Sequence, residues 1–157
     1  MISSNTKVLQ VNLNKSAAAT ESALQLAIEL KVDIIVVQEP WLVQLADNEL
    51  DYSTTRSIAH SAFLQILPAD LSFRPRTLVY VAKSYRPIAT IASTSPRDSD
   101  MLAVDIEEGT SKLQLLNIYN ESDQARLGPK TLERCLYSRT LQPSTILLSD
   151  FNTHYPW

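Results

Sequence analysis

Asp33-Ile34-Ile35-Val36-Val37-Gln38 decides the fold class. Four β-branched apolar residues in a row leave no polar side for solvent, the mark of a strand buried on both faces. Glu39 and Pro40 follow, and proline has no amide to continue a strand ladder. Upstream, Ala19, Ala23, Leu26, Ala27 and Leu30 recur at three- and four-residue spacing, so residues 17–31 read as a helix with one apolar stripe. Ser16 stands where an N-capping hydroxyl belongs. Before it, residues 7–14 alternate, with Leu9, Val11 and Leu13 on one face and Gln10, Asn12 and Asn14 on the other. Strand, helix and buried strand make a right-handed βαβ unit with two parallel strands.

Downstream the signal weakens and then returns. Residues 41–75 read as mostly irregular, with at most one short strand, and the acidic 47–51 run reads as a solvated loop. Residues 77–82 are a strand, and 88–91 a weaker one after Pro87. Residues 101–106 and 112–119 form a hairpin with Gly109 in its turn. Residues 129–140 read as a helix with Leu132, Cys135 and Leu136 on one face, and 146–149 as a closing strand. The class is α/β, parallel at its start and antiparallel in its middle.

Composition narrows the function. The 157 residues are 45% hydrophobic and 20% charged, as in a globular domain. A net charge of −3 argues against a strongly basic nucleic-acid binder but not against a metal-dependent nuclease, because a bound cation inverts the local charge. Cys135 is alone, so neither an intrachain disulfide nor a thiolate zinc cluster is expected. With only two glycines, Gly109 and Gly128, neither the dinucleotide fingerprint nor the P-loop is present. No apolar run approaches the ~20 residues of a membrane helix, and the N-terminus carries no apolar signal segment. The expectation is a soluble intracellular chain that makes no membrane contact.

Polar residues punctuate four strand ends: Asn12 and Asn14, Gln38 and Glu39, Tyr119 and Asn120, Asp150 and Asn152. If those ends meet, they offer hard oxygen donors, which suit Mg²⁺ or Mn²⁺ and not zinc. Mg²⁺ is commonly held by one or two carboxylates plus substrate phosphate oxygens, so metal-assisted phosphodiester hydrolysis fits the inventory. Each residue also has a structural reading. Asp150 and Asn152 could form an Asx turn after a strand, Glu39 could be a solvated strand-end acid, and Tyr119 a half-buried sheet aromatic. Asn14 competes with Asn12 for the same role. His154, Trp41 and Trp157 read first as structural residues.

Four segments taken together carry a resemblance: Gln10-Val11-Asn12-Leu13-Asn14, Val36-Val37-Gln38-Glu39-Pro40-Trp41-Leu42, Leu116-Asn117-Ile118-Tyr119-Asn120, and Leu148-Ser149-Asp150-Phe151-Asn152-Thr153-His154-Tyr155-Pro156-Trp157. In this order they resemble the motifs of the endonuclease/exonuclease/phosphatase superfamily. The branch they are most similar to lies at the N-terminus of non-long-terminal-repeat retrotransposon polyproteins, which also carry a reverse transcriptase. The resemblance implies a deoxyribonuclease-I-like fold, a two-sheet α/β sandwich flanked by helices. It implies a Mg²⁺-dependent endonuclease (Mn²⁺ being the alternative ion) acting on DNA, and a nuclear location. By position, Glu39 would bind the metal and Asn12 would support the metal and phosphate site. Tyr119 would hydrogen-bond the scissile phosphate, Asp150 would orient the attacking water, and Asn152 would contact the phosphate.

The family's domain continues into a second half that carries a further aspartate and a Ser-Asp-His motif. Here the two histidines, His60 and His154, lie in no such setting, and Ser149 stands where most members have glycine. The resemblance therefore implies that residues 1–157 are a single incomplete domain, lacking its C-terminal part and weak or inactive as a nuclease. The alternatives are a non-catalytic interaction or structural domain that self-associates through an uncovered sheet face, and a phosphoesterase of the same superfamily with another substrate.

Overall fold

The computed structural model describes residues 5–44, 55–120, 130–137 and 142–150. β1 (Val8–Asn12) leads through α1 (Ala17–Glu29) to β2 (Ile34–Gln38), and β1 and β2 pair in parallel with Asn12 opposite Gln38. Every residue of β2 is buried, as its β-branched run requires. Ser16 caps α1, its side chain accepting from the Ala19 amide at 3.2 Å.

The buried side of α1 is Thr20, Ala23, Leu24 and Ala27, whereas Leu26 and Leu30 are 44% and 53% exposed. The apolar stripe is thus rotated from the one read off the sequence. Small residues let the helix lie close to the sheet, and the Thr20 hydroxyl is satisfied inside the helix by the Ser16 carbonyl at 2.8 Å, so burying it leaves no polar group unpaired.

In the middle of the chain, β3 (Phe63–Ile66) is one short strand, joined by an isolated bridge between Val43 and Arg56. β4 (Thr77–Ala82) pairs antiparallel with both β2 and β3, giving a first sheet in the order β1-β2-β4-β3. The second sheet runs β5 (Ile88–Ile91), β6 (Met101–Glu108), β7 (Ser111–Tyr119), β8 (Thr145–Asp150). The β6–β7 hairpin turns at Gly109, whose φ of 59° is the left-handed conformation glycine adopts without strain. β8 lies parallel to β7, so the chain closes on a second parallel pair, with α2 (Thr131–Tyr137) in the connection. On α2, Cys135 is buried and Leu132 packs against the core, but Leu136 points outward at 59% exposure. The acidic 47–51 run and residues 129 and 138–140 of the expected helix lie outside the described residues.

Three apolar layers hold these elements together. Ile34, Val36, Val79 and Val81 meet Leu102, Val104, Ile106 and Leu115 between the sheets. α1 covers the outer side of the first sheet over Ile35, Val37, Leu78 and Tyr80, and Cys135 of α2 joins Met101, Ala103, Leu116 and Ile118 on the outer side of the second. Both sheets are thus covered on both sides, and the fold is a two-sheet, helix-flanked sandwich. The bare apolar sheet face expected from the sequence has no counterpart among the described residues, because each sheet acquires its own helix. Within the described strands, the exposed large apolar side chains all fall on edge strands, at Val8, Leu64, Ile88, Ile91 and Ile146.

A polar pair interrupts the apolar interface. Asn117 donates to the carbonyls of Val37 and Leu78 at 2.9 and 3.1 Å and accepts from the Gln38 amide at 2.7 Å. Removing Asn117 leaves the Gln38 amide buried without its acceptor. Asn117→Ala is expected to lower the unfolding free energy by about 1–3 kcal/mol, read in urea denaturation as a lower midpoint with an unchanged slope.

Candidate active site

Four strands end at one edge of the sandwich, and their register brings their last residues together. Asn12 ends β1 opposite Gln38, and Glu39 follows Gln38 directly. Tyr119 ends β7 opposite Asp150, the last residue of β8. Two hydrogen bonds then join the sheets: the Asn12 amide donates to the Asp150 carboxylate at 2.8 Å, and the Tyr119 phenol donates to the Glu39 carboxylate at 3.3 Å. Asn12, Glu39, Tyr119 and Asp150 therefore close a ring: side-chain bonds join Asn12 to Asp150 and Tyr119 to Glu39, strand pairing joins Tyr119 to Asp150, and Asn12 reaches Glu39 through its ladder partner Gln38. Next to it, the Gln10 amide donates to the Ser149 carbonyl at 2.8 Å, tying β1 to β8 again.

The backbone around this ring is strained. Asn14, Lys15 and Glu39 have φ of 45°, 56° and 48°, three of the four non-glycine residues with positive φ among the described residues. Such conformations cost about 1–3 kcal/mol each for residues other than glycine. They are held by the Lys15 amide on the Glu39 carbonyl at 2.8 Å, the Leu13 amide on the Gln38 carbonyl at 3.0 Å and the Glu39 amide on the Arg76 carbonyl at 2.9 Å. The Asn14 amide donates to Asn12 Oδ1 at 2.8 Å, so the second asparagine shapes the turn while the first faces Asp150.

Of the remaining strand-end residues, Gln38 is fully buried and turns into the interface between the sheets. Asn120 is buried and accepts from the Leu132 amide of α2 at 3.4 Å. His60 serves a turn, its Nδ1 accepting from the Ala62 amide at 3.1 Å with its ring against Phe63. Asn152, His154 and Trp157 lie outside the described residues.

Sequence reasoning missed several groups that surround the ring. The Lys15 ammonium lies 3.8 Å from the Glu39 carboxylate. The Arg76 guanidinium sits over the Tyr119 ring, 4.5 Å from its centroid, and forks onto Asp100 with two bonds of 2.6 Å. Asn117 carried a visible signal, an amide inside the apolar run Leu115-Leu116-Asn117-Ile118. Arg76 and Asp100 carried none, because a charge flanking a strand ordinarily reads as solvated.

The donors gathered here are carboxylate and amide oxygens on separate strands. Among the described residues no group of three or more histidine, cysteine, aspartate or glutamate side chains could enclose an ion. One or two carboxylates with the remaining positions left to substrate and water is the coordination Mg²⁺ accepts, so the donor set fits that ion.

The sequence matches no family model and no curated protein. Among solved structures it superimposes on the endonuclease domain of TRAS1, a telomere-specific non-LTR retrotransposon, with a TM-score of 0.67 and 16% identity, covering 96% of this chain and 60% of that one. The fold is the one that endonuclease domain adopts, a deoxyribonuclease-I-like two-sheet sandwich. An AP endonuclease, LMAP from Leishmania major, aligns over 85% of this chain and 44% of its own, at a TM-score of 0.49 and 16% identity. The chain spans about 60% of the length of the TRAS1 domain. At this identity the likeness shows the fold alone and leaves the chemistry to the residues.

Burial pushes the Tyr119 phenol above its usual pKa, the Glu39 charge pushes it further, and the Arg76 cation opposes both. Glu39→Gln removes the second cause, so the Tyr119 titration is expected to move down in an ultraviolet difference titration against Tyr119→Phe. The sign for stability follows from linkage. A phenol with a raised folded-state pKa stabilises the fold below its ordinary value, and that contribution is lost as pH rises through the raised one. Tyr119→Phe should therefore flatten the alkaline fall in stability.

Proposed function

We propose that the ring of Asn12, Glu39, Tyr119 and Asp150 is part of a Mg²⁺-dependent phosphodiesterase centre acting on DNA, in the manner of a retrotransposon-type endonuclease. The observation that carries this reading is the closure of the ring itself. Residues up to 138 positions apart in sequence make direct side-chain bonds at one edge of the sandwich, in a fold shared with an endonuclease domain.

In this reading Glu39 and the Asn12 amide oxygen hold Mg²⁺, with Mn²⁺ as the alternative ion. The ion, when bound, neutralises charge developing on the nonbridging phosphate oxygens. Asp150, kept in place by the Asn12 amide, accepts a hydrogen bond from the attacking water and orients it. Tyr119 donates to a phosphate oxygen once Glu39 is engaged elsewhere; a phenol is protonated, and so able to donate, at neutral pH, and the upward shift here only widens that margin. Asn152 joins as a phosphate contact. Residues 1–157 form one part of such a domain, consistent with the span of about 60% of the TRAS1 domain. The general base that the superfamily takes from its Ser-Asp-His motif is supplied by no residue of this ring, so hydrolysis by this chain is slow. The resemblance to retrotransposon endonucleases carries with it a nuclear location for the working protein.

A plasmid-nicking assay with Mg²⁺ at high protein concentration tests the proposal. Slow, chelator-sensitive nicking is expected, lowered about 10²–10³-fold by Glu39→Ala, the range for losing one preorganised charge-stabilising group, and comparably by Asp150→Asn. Nicking that is indifferent to both substitutions would reject these residues as the site. No nicking, together with no Mg²⁺-induced shift of the Glu39 or Asp150 resonances, would make this a non-catalytic interaction domain.

A further inference from the structure

One ion pair bridges the two sheets beside the Glu39–Tyr119 bond. Arg76 immediately precedes β4 of the first sheet, and Asp100 immediately precedes β6 of the second. The guanidinium meets the carboxylate through Nε and one terminal nitrogen, both at 2.6 Å, and Asp100 is fully buried. Arg134 of α2 reaches the same carboxylate at 3.0 Å, and its Nε reaches Asp98 at 3.0 Å. Each member of the pair is also tied by its backbone to one residue of the ring. The Arg76 carbonyl accepts from the Glu39 amide at 2.9 Å, and the Asp100 carbonyl accepts from the Tyr119 amide at 2.8 Å. The Arg76 amide completes the bridge on the Ser99 carbonyl at 2.9 Å.

We infer that Arg76, locked by Asp100, is a positioning residue that fixes the Tyr119 ring and the Glu39 backbone relative to each other across the two sheets. This rests on the proposed function for what Tyr119 and Glu39 do there, but not for the geometry. A bidentate guanidinium–carboxylate pair removes the rotational freedom of the arginine head group. Its Cζ then lies over the Tyr119 ring, 4.5 Å from the centroid, where attraction between a cation and the ring quadrupole pins the ring. The same residue's carbonyl holds Glu39 in its left-handed conformation. Lysine cannot reproduce this, since an ammonium is a point charge with neither fork nor face. Balancing the charge of buried Asp100 is a different task, which a lysine with Arg134 could still perform. Positioning and charge balance therefore separate experimentally.

The experiment is NMR of the full chain with isotope-labelled tyrosine, the Tyr119 ring signals being assigned by their loss in Tyr119→Phe. In Arg76→Lys the backbone spectrum is expected to stay near wild type while the Tyr119 ring signals move to those of a freely averaging tyrosine. Arg134→Gln, which takes a cation from the same carboxylate without touching the ring, should leave them in place. Tyr119 signals unchanged in Arg76→Lys, or moved as far by Arg134→Gln, would overturn the inference. Should Arg76→Lys fail to fold, the wild-type protein decides alone. Its Arg76 side-chain protons should show an upfield ring-current shift that Tyr119→Leu abolishes, and no such shift in the wild type would overturn the inference equally. Titration of the wild type with Mg²⁺ and a dinucleotide phosphodiester separates the two claims. If it leaves the Tyr119 and Asp150 signals unmoved, the phosphodiesterase reading fails while the positioning result stands on the shifts already measured.

Discussion

The Asn117 side-chain amide reaches across to the opposite sheet, donating to the Val37 and Leu78 carbonyls, and its oxygen accepts a hydrogen bond from the Gln38 amide. Sheet-on-sheet packing through apolar side chains alone fixes a spacing but only loosely fixes a sliding position, because dispersion contacts carry little direction. A buried amide is directional, and leaving it unpaired carries a penalty. Asn117 and Gln38 sit two residues before Tyr119 and one before Glu39. A shift of one sheet along the other would break this pair before it disturbed much apolar area. The clamp thus sets the alignment on which the Tyr119–Glu39 and Asn12–Asp150 bonds depend.

Beyond the clamp, the chain leaves its strands in conformations that favour proximity over comfort. Asn14, Lys15 and Glu39 lie in the left-handed region, all just past the ends of β1 and β2. Their cost is offset locally by backbone bonds between the two turns and to Arg76. One consequence is that the Glu39 side chain meets Tyr119 of the second sheet at all, because the strand before it is buried on both faces and offers no exposed position. Strain gathered where polar side chains from four strands converge persists only because the surrounding structure over-determines it, and that is what motivates the proposal of a site there.

The sequence was legible where a local pattern has one physical solution. The β-branched run of β2 admits only a strand buried on both faces, and the alternation around Gly109 admits only a hairpin. The phase of the α1 stripe was not legible, because leucine at 26 and 30 outweighs alanine in any hydrophobic count. Close helix–sheet packing instead selects small residues, together with a threonine whose hydroxyl is satisfied within the helix. The parallel partnership of β7 with β8 depends on which edge the last strand joins, and nothing local records that choice. At the site, the strand-end residues could be named, but their pairing could not. Arg76 and Asp100 are 24 residues apart and flank unrelated strands, so only the stacking of the two sheets reveals a bond between them.

Charge sets a last constraint on what this site can do. The chain carries a net charge of −3, and a DNA backbone is a dense polyanion, so long-range attraction contributes little to encounter and most binding energy must be made at contact. The cations beside the ring are already committed: Lys15 lies near Glu39, and Arg76 and Arg134 both face Asp100. A phosphate arriving at Glu39 and Asp150 would add negative charge to a carboxylate pair, which is unfavourable unless a divalent ion arrives with it or before it. In the proposed phosphodiesterase reading, the electrostatics of the ring would couple metal and substrate, each supplying the charge the other lacks. In that reading Tyr119 is the group placed to register the coupling, because the carboxylate that accepts its hydrogen bond is also the one that would meet the ion.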